Sequence, residues 1–182
     1  DGCGGLLVWD GRWHAAAMQV VRLNAVVEQE VRFVAPPAFR VSKEMARFPS
    51  LVADAEHVAV RAAIVHLLFE SIHPFLDGNG RIGRLLILLY LMEKKLLSKP
   101  VIYVSYFLKM NQIEYYDRIS EVRRKGNYEQ WISFFLEAVS STAEDALKSI
   151  GKLSALREKN IARLPKSSKR KDNVRALFDY LE

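Results

Sequence analysis

The chain lacks the features that mark secreted, disulfide-stabilised and membrane-spanning proteins. Among its 182 residues there is a single cysteine, so no intrachain disulfide can form, and this usage is typical of a reducing compartment. The longest apolar run, residues 85–92, is far shorter than the roughly 20 residues that a membrane-spanning helix needs. The amino end lacks the basic-then-apolar order of a signal peptide. We therefore predict a cytoplasmic protein with no membrane partner.

Most of the chain also carries little net charge. The formal net charge is +6, but residues 152–182 hold nine Lys and Arg against four Asp and Glu. This carboxyl-terminal stretch therefore carries nearly all of the net charge, and the body is close to neutral. A basic tail can bind nucleic acid, although such tails are more often solvated helices and linkers. Nucleic-acid binding through the tail is an alternative to any function that the body carries.

Helical patterns dominate the sequence beyond Pro36 and Pro37. The run 81–97 is apolar almost all round between residues 85 and 92, which predicts a helix buried in the middle of a bundle. The helix before it carries a clear apolar stripe and is predicted to be central. We predict helices over residues 43–52 (with Ser42 as N-cap), 56–72, 81–97, 105–125, 128–150 and 152–164, and the start of another at 174–181.

The segment before the two prolines has a different pattern. Its valines, including Val26, Val27 and Val31, favour strand, and we predict a β-hairpin with its tip near residues 23–25. Within the helical part, His66 lies among apolar neighbours and is predicted to be a buried, hydrogen-bonded histidine. An aromatic stripe at helical spacing is predicted to lie in the core and consists of Trp131, Phe134 and Phe135.

Residues 73–84 gather glycines, polar and charged side chains between two apolar helices. Gly78 and Gly80 allow a tight turn with backbone N–H groups pointing inward, and the following helix adds partial positive charge at its amino end. Arg81 and Arg84 lie three residues apart, hence on one helix face, where their guanidinium groups can bind further phosphate oxygens. The loop is therefore predicted to bind a polyphosphate.

Three more side chains of this loop fit the same prediction. Asp77 has the wrong charge for phosphate, but Mg²⁺ could join it to a polyphosphate, since Mg²⁺ binds one or two carboxylates together with phosphate oxygens. Asn79 can donate an amide hydrogen to the anion. Histidine is largely neutral near pH 7, so His73 could take a proton from an incoming hydroxyl. Together these residues predict a transferase site.

The loop reads His-Pro-Phe-Leu-Asp-Gly-Asn-Gly-Arg-Ile-Gly-Arg. It resembles the signature of the Fic family, His-Pro-Phe-x-Asp/Glu-Gly-Asn-Gly-Arg-x-x-Arg, at every specified position. The resemblance continues in the flanks and covers roughly residues 10–150. It implies an all-α fold, a Fic-type helical bundle with a small β-hairpin flap. It also implies transfer of AMP from ATP to a Ser, Thr or Tyr hydroxyl of a target protein, with release of pyrophosphate.

The resemblance also implies a role for each matching position. His73 would be the general base, Asp77 the Mg²⁺ ligand, Gly78, Asn79 and Gly80 the anion hole, Arg81 and Arg84 the clamp on the outer phosphates, and Tyr116 an aromatic near the nucleotide base. The kinase-like Doc branch carries Lys where this chain has Gly80 and transfers phosphate with the nucleotide reversed, so Gly80 favours nucleotidyl transfer. Transfer of another nucleotide or of phosphocholine is a further alternative.

Domain organisation and partners follow from the same resemblance. We expect an N-terminal segment with the flap in residues 1–35, the Fic core in residues 36–164, and a basic tail in residues 165–182 that resembles the start of a winged-helix module. The flap is expected to dock the target protein. Residues 31–34 are the strand expected to pair with it, because an exposed strand edge can bind an extended peptide.

An inhibitory element is the last expectation. Many Fic proteins resemble one another in a helix of the form Ser/Thr-x-x-x-Glu-Gly/Asn, whose Glu pairs with the second arginine of the motif, here Arg84. This sequence has only near misses, at residues 140–145 and 154–159. We expect the inhibitory element upstream of Asp1 or on a partner protein, and the chain itself to be poorly restrained.

Overall fold

A computed structural model describes residues 19–23, 29–52, 57–163 and 169–180. The described part is helical apart from one pair of strands, which confirms the predicted all-α bundle. None of the described helices is both long and apolar enough to cross a membrane. The elements are β1 (Gln19–Leu23), β2 (Gln29–Val34), α1 (Ala38–Val52), α2 (Val58–Ile72), α3 (Asn79–Glu93), α4 (Val104–Met110), α5 (Gln112–Lys125), α6 (Tyr128–Ala162) and α7 (Lys169–Tyr180).

The two strands are antiparallel and precede the helices. They pair from Gln19 opposite Val34 to Leu23 opposite Gln29. Residues 24–28, which hold most of the predicted tip, lie outside the described residues. The role of this strand pair as a flap that docks a target stays a prediction.

Helix α2 is the central helix of the body, as its apolar stripe predicted. It packs against α1, α3 and α6. The indole Nε1 of Trp131, on α6, donates a hydrogen bond to the carbonyl of Ala63, on α2, at 3.0 Å. Trp131, Phe134 and Phe135 are all buried in the main core cluster, which confirms their predicted place.

The prediction that α3 lies in the middle of the bundle is wrong. α3 packs on α2 through Gly83, Ile87 and Leu91, which lie four residues apart and so share one face. Leu85 and Leu89 lie away from that face and are 51% and 54% exposed. Although residues 85–92 are almost all apolar, α3 buries only one face, and its other apolar side chains lie at the surface of the described residues.

Several predicted helix boundaries are wrong as well. α1 begins at Ala38 instead of after Ser42. The predicted helix over residues 105–125 is two helices that meet at Asn111, whose side-chain Nδ2 donates to the carbonyl of Phe107 at 3.0 Å. The opposite error occurs in α6, which continues through Gly151. A single glycine costs only about 1 kcal/mol in a helix, so it need not end one.

Candidate active site

The loop between α2 and α3 begins and ends in left-handed backbone conformations. His73 ends α2 with φ 50°, and Gly78 precedes α3 with φ 84°. Glycine adopts this conformation at little cost, whereas a residue with a side chain is held there against about 1 to 3 kcal/mol of strain. The N–H of His73 donates to the carbonyl of Phe69 at 2.9 Å and stabilises that turn. The loop therefore brings the carboxyl end of α2 beside the amino end of α3.

The side chain of Asn79 closes this loop from inside. Its Oδ1 accepts a hydrogen bond from the N–H of Phe75 at 2.9 Å, and its Nδ2 donates to the carbonyl of Phe75 at 2.7 Å. Asn79 is buried, and the Phe75 ring packs against Phe69 with centroids 6.3 Å apart. The predicted amide donation to an anion stays untested, and the observed role of this side chain is to hold the shape of the loop.

The amino end of α3 combines helix N–H groups with a guanidinium group. The N–H groups of a first helical turn have no partner within the helix, and here the N–H of Gly78 binds Asp77 Oδ1 at 2.6 Å. A Cβ built on Gly80 would lie 3.0 Å from Nη1 of Arg84, so this guanidinium lies directly over Gly80. The positive end of the helix and the Arg84 cation thus face the same small region, which suits an anion.

Asp77 and Arg81 form the exposed side of the loop. The Arg81 Nη2 donates to Asp77 Oδ2 at 3.0 Å, and the Asp77 side chain is 78% exposed. An exposed ion pair contributes at most about 1 kcal/mol, so a ligand can rearrange it cheaply. No group of three or more His, Cys, Asp or Glu side chains suited to a metal occurs in the described part of the chain. The exposed Asp77 carboxylate fits Mg²⁺ only where phosphate oxygens supply further ligands, which is how Mg²⁺ is usually held.

The imidazole of His73 is oriented from the backbone of α2. Its Nδ1 lies 3.4 Å from the carbonyl oxygen of Glu70. When Nδ1 carries the proton and donates to this carbonyl, the lone pair of the neutral ring is on Nε2. The tautomer suited to proton abstraction by Nε2 is therefore the one that this geometry favours.

A buried layer of polar side chains lies under the loop. The Nε2 of His66 lies 3.0 Å from the hydroxyl oxygen of Tyr115, which confirms the predicted buried, hydrogen-bonded histidine. The Oε1 of Glu70 and the Nδ1 of His66 have no hydrogen-bond partner among the described residues. A Cβ built on Gly83 would overlap Glu70 Oε1 and lie 3.2 Å from His66 Nδ1. Gly83 is thus what allows α3 to pack against these two side chains.

Burial shifts the pKa values of two side chains in this layer, Glu70 and His66. It raises the pKa of the Glu70 carboxyl to about 7, although Arg84 and Arg123 oppose the shift. It lowers the pKa of the His66 imidazole to about 4. His66 is therefore neutral at pH 7, and a substantial fraction of Glu70 is protonated.

The two adjacent tyrosines of α5 differ in exposure. Tyr115 is buried beside His66, whereas Tyr116 is half-buried against the same core. Their rings lie 5.0 Å apart between centroids. The contact of Tyr116 with a nucleotide base stays a prediction.

Sequence reasoning missed Glu70, Gly83 and Arg123. The Nη2 of Arg123 donates to the carbonyl of Glu70 at 2.9 Å, although the two residues are far apart in the sequence. A carboxylate inside the apolar stripe of α2 could have singled out Glu70. Helical spacing places Arg123 four residues after buried Ile119 and Arg124 on the opposite face, so the sequence could have separated these two cations. The group that Arg123 contacts is set by the tertiary packing.

These features define a helical protein in which the loop at the amino end of α3 has a geometry suited to an anion. The model of the Fic/DOC family matches residues 11–91. A crystal structure of a Fic family protein from Desulfovibrio desulfuricans has a TM-score of 0.66 and 31% identity, covering 80% of this chain and 43% of that chain. The family match and this structural similarity together support a Fic family protein.

Two curated relatives are similar over shorter stretches. A probable protein adenylyltransferase of Aquifex aeolicus is 38% identical over 69 residues, which are 37% of this chain and 22% of the relative. The protein adenylyltransferase Fic of Aedes aegypti is 33% identical over 98 residues, which are 54% of this chain and 18% of the relative. The chain thus spans only a minor part of the length of these relatives.

Proposed function

We propose that this chain is a protein adenylyltransferase that moves AMP from ATP to a Ser, Thr or Tyr hydroxyl of a target protein. The observation that carries the proposal is the position of the Arg84 guanidinium over Gly80, beside the N–H groups of the first turn of α3. A lysine in place of Gly80, as in the Doc branch, would add a side chain where the guanidinium lies. The names of the two curated relatives support the same activity.

The proposed reaction needs one proton acceptor, which is His73. Its Nε2 takes the proton of the target hydroxyl as the hydroxyl oxygen attacks the α-phosphorus of ATP. The bond between the α-phosphorus and the oxygen that joins it to the β-phosphate breaks. AMP is then esterified to the target, and pyrophosphate leaves.

The remaining residues of the loop bind and orient the polyphosphate in this proposal. The N–H groups of Gly80 and Arg81 face the phosphate oxygens, and Arg84 binds the outer phosphate. Asp77 would hold Mg²⁺, which when bound neutralises charge that accumulates on the leaving phosphates. Asn79 keeps the loop in shape through its two hydrogen bonds to Phe75.

The pairing of Arg84 supports its proposed role as a phosphate ligand. No carboxylate among the described residues forms a salt bridge with it. Glu144 and Glu158, the acidic residues of the two near-miss patterns, are exposed on α6. We therefore propose that restraint of this site, where it occurs, comes from a partner or from an element outside the described residues.

The test is transfer of label from ATP. The chain is incubated with Mg²⁺, a cell lysate as a source of acceptor protein, and ATP radiolabelled at either the α- or the γ-phosphate. Relative to the same lysate without the chain, we expect additional protein-bound label from the α position alone, because kinases of the lysate transfer γ-phosphate in both samples. Chain-dependent label from the γ position would mean phosphate transfer and would contradict the proposal, as would chain-dependent α-label that persists when His73 is replaced by Ala.

A further inference from the structure

We propose that Arg123 is a positioning residue for His73 and acts through the backbone carbonyl of Glu70. This inference rests on the proposed function, because His73 is taken as the base of that reaction. Arg123 lies on α5, outside the signature loop, and nothing in the family pattern quoted above includes it.

The first step of the argument is a shared hydrogen-bond acceptor. The carbonyl oxygen of Glu70 lies 2.9 Å from Nη2 of Arg123 and 3.4 Å from Nδ1 of His73. A carbonyl oxygen has two lone pairs and can accept from both donors. The position of this one atom therefore contributes to the orientation of the His73 imidazole.

The second step concerns the carboxyl end of α2, which a nearby cation would stabilise and which has no cation of its own. The last carbonyl groups of a helix have no partner within it and carry partial negative charge. The last turn of α2 contains no basic residue. Arg123 supplies this charge from the neighbouring helix, and its Nε also lies 3.4 Å from Oγ of Ser71.

The third step is that Arg123 is held firmly. Burial lowers the pKa of its guanidinium to about 10, while Tyr115 and Glu70 oppose that shift. The group is therefore still a cation at pH 7. Because a half-buried guanidinium with two acceptors on one helical turn has little freedom, it fixes the turn that ends in the left-handed residue His73.

Loss of this contact should affect proton transfer more than ATP binding. Arg123 meets the carboxyl end of α2, whereas the predicted phosphate ligands lie on α3. A misplaced base can cost on the order of 100-fold in rate even when the mutation is distant from the reacting atoms. We expect Arg123→Gln to lower kcat by about 10- to 100-fold and to change KM for ATP by less than about twofold.

The experiment compares Arg123→Gln with two matched variants. Arg124→Gln removes a neighbouring cation of α5 that is 71% exposed and pairs only loosely with Glu121, at 3.8 Å. Its kcat should equal that of the wild type. Arg123→Lys keeps the charge and one donor, so it should recover part of the lost kcat. Rates are measured from α-labelled ATP at a fixed amount of lysate over a range of ATP concentrations.

A second readout does not depend on activity. NMR of protein with isotope-labelled histidine reports which ring nitrogen of His73 carries the proton, with His73→Ala used to assign the signal. We expect the Nδ1–H tautomer in the wild type and a mixture of tautomers in Arg123→Gln. If the wild type transfers no AMP, the proposed function fails, and the tautomer comparison still decides the role of Arg123.

Two results would overturn the inference. One is a wild-type kcat in Arg123→Gln, and the other is a lowered kcat with an unchanged His73 tautomer. Should Arg123→Gln fail to fold, Arg123→Lys decides alone. In that variant a wild-type tautomer together with a reduced kcat overturns the proposal, and a shifted tautomer with an unchanged KM supports it.

Discussion

The outer side of the loop and the layer beneath it differ in exposure and in how their charges are paired. Asp77 and Arg81 form an ion pair in solvent, whereas Glu70 and His66 are buried with one polar atom each lacking a hydrogen-bond partner among the described residues. Exposed charges can exchange partners at little cost, but buried polar groups are costly to leave unpaired. We therefore expect the exposed side chains to exchange partners when a ligand binds. We expect the buried side chains to hold α2 and α3 in fixed positions.

This comparison predicts that replacing the base has the largest effect on activity. His73→Ala should reduce AMP transfer by about 10² to 10⁴, because the hydroxyl then loses its proton acceptor. Binding of Mg·ATP, measured by calorimetry, should stay nearly unchanged. His57→Ala is the control, since this exposed histidine makes no capping hydrogen bond through its side chain. Transfer near the wild-type rate in His73→Ala would refute the assigned role.

A change in the buried layer should instead affect stability. In Gly83→Ala the new methyl group would overlap Glu70 Oε1 and crowd Phe69, and forcing extra volume into a packed region costs about 1 to 3 kcal/mol or more. Urea unfolding should show this loss. The cost should fall when Glu70 is first replaced by Ala, because the overlapping carboxylate is then gone. An equal cost in both backgrounds would contradict the packing described here.

The pKa of Glu70 predicts a pH dependence of stability. Burial raises it from 4.5 to about 7, so the folded state favours the protonated form. The penalty for ionising this group is absent below about pH 4.5, grows as the pH rises, and is complete above about pH 7, where it reaches about 3 kcal/mol.

Glu70→Gln tests that dependence because its side chain cannot ionise. Relative to the wild type, the variant should gain free energy of unfolding as the pH rises from about 4.5 to about 7. Taking the difference between the two proteins removes the contribution of His66, which is common to both. That contribution has the opposite sign, since the depressed pKa of His66 favours the fold above about pH 6.5 and loses this effect towards pH 4. Parallel stability curves would contradict the pKa of Glu70.

The outer side of the site could be predicted from the sequence because its chemistry is local. The twelve residues from His73 to Arg84 form one loop and one helical turn, so their spacing already places the glycines, Asp77 and the arginines together. The buried layer could not be predicted, because it joins residues from α2, α3 and α5. The period of α5 places Arg123 near the buried face, but its contact with Glu70 forms only when α5 packs beside α2.

The distinction between local patterns and tertiary packing also explains the errors in the predicted fold. The prediction of the central helix was correct for α2 and wrong for α3. The uniformly apolar run of residues 85–92 does not show that Leu85 and Leu89 lie away from the core. The amino-terminal segment was predicted to form a β-hairpin, and β1 pairs with β2 there, whereas the flap role stays a prediction. The division into residues 1–35, 36–164 and 165–182 stays a prediction.

The smallest expected effect concerns Gly151, where the sequence suggested a helix end and the structure has a continuous helix. A Cβ built on Gly151 meets nothing within 4 Å, so Gly151→Ala should raise the free energy of unfolding by about 0.5 to 1 kcal/mol by reducing the freedom of the unfolded chain. It is the matched counterpart of Gly83→Ala, because both glycines lie inside helices and only Gly83 faces a neighbour. Urea unfolding should therefore give opposite signs for the two substitutions. A loss of stability in Gly151→Ala would mean that α6 ends near residue 150, with Gly151 outside the helix as the sequence pattern suggested.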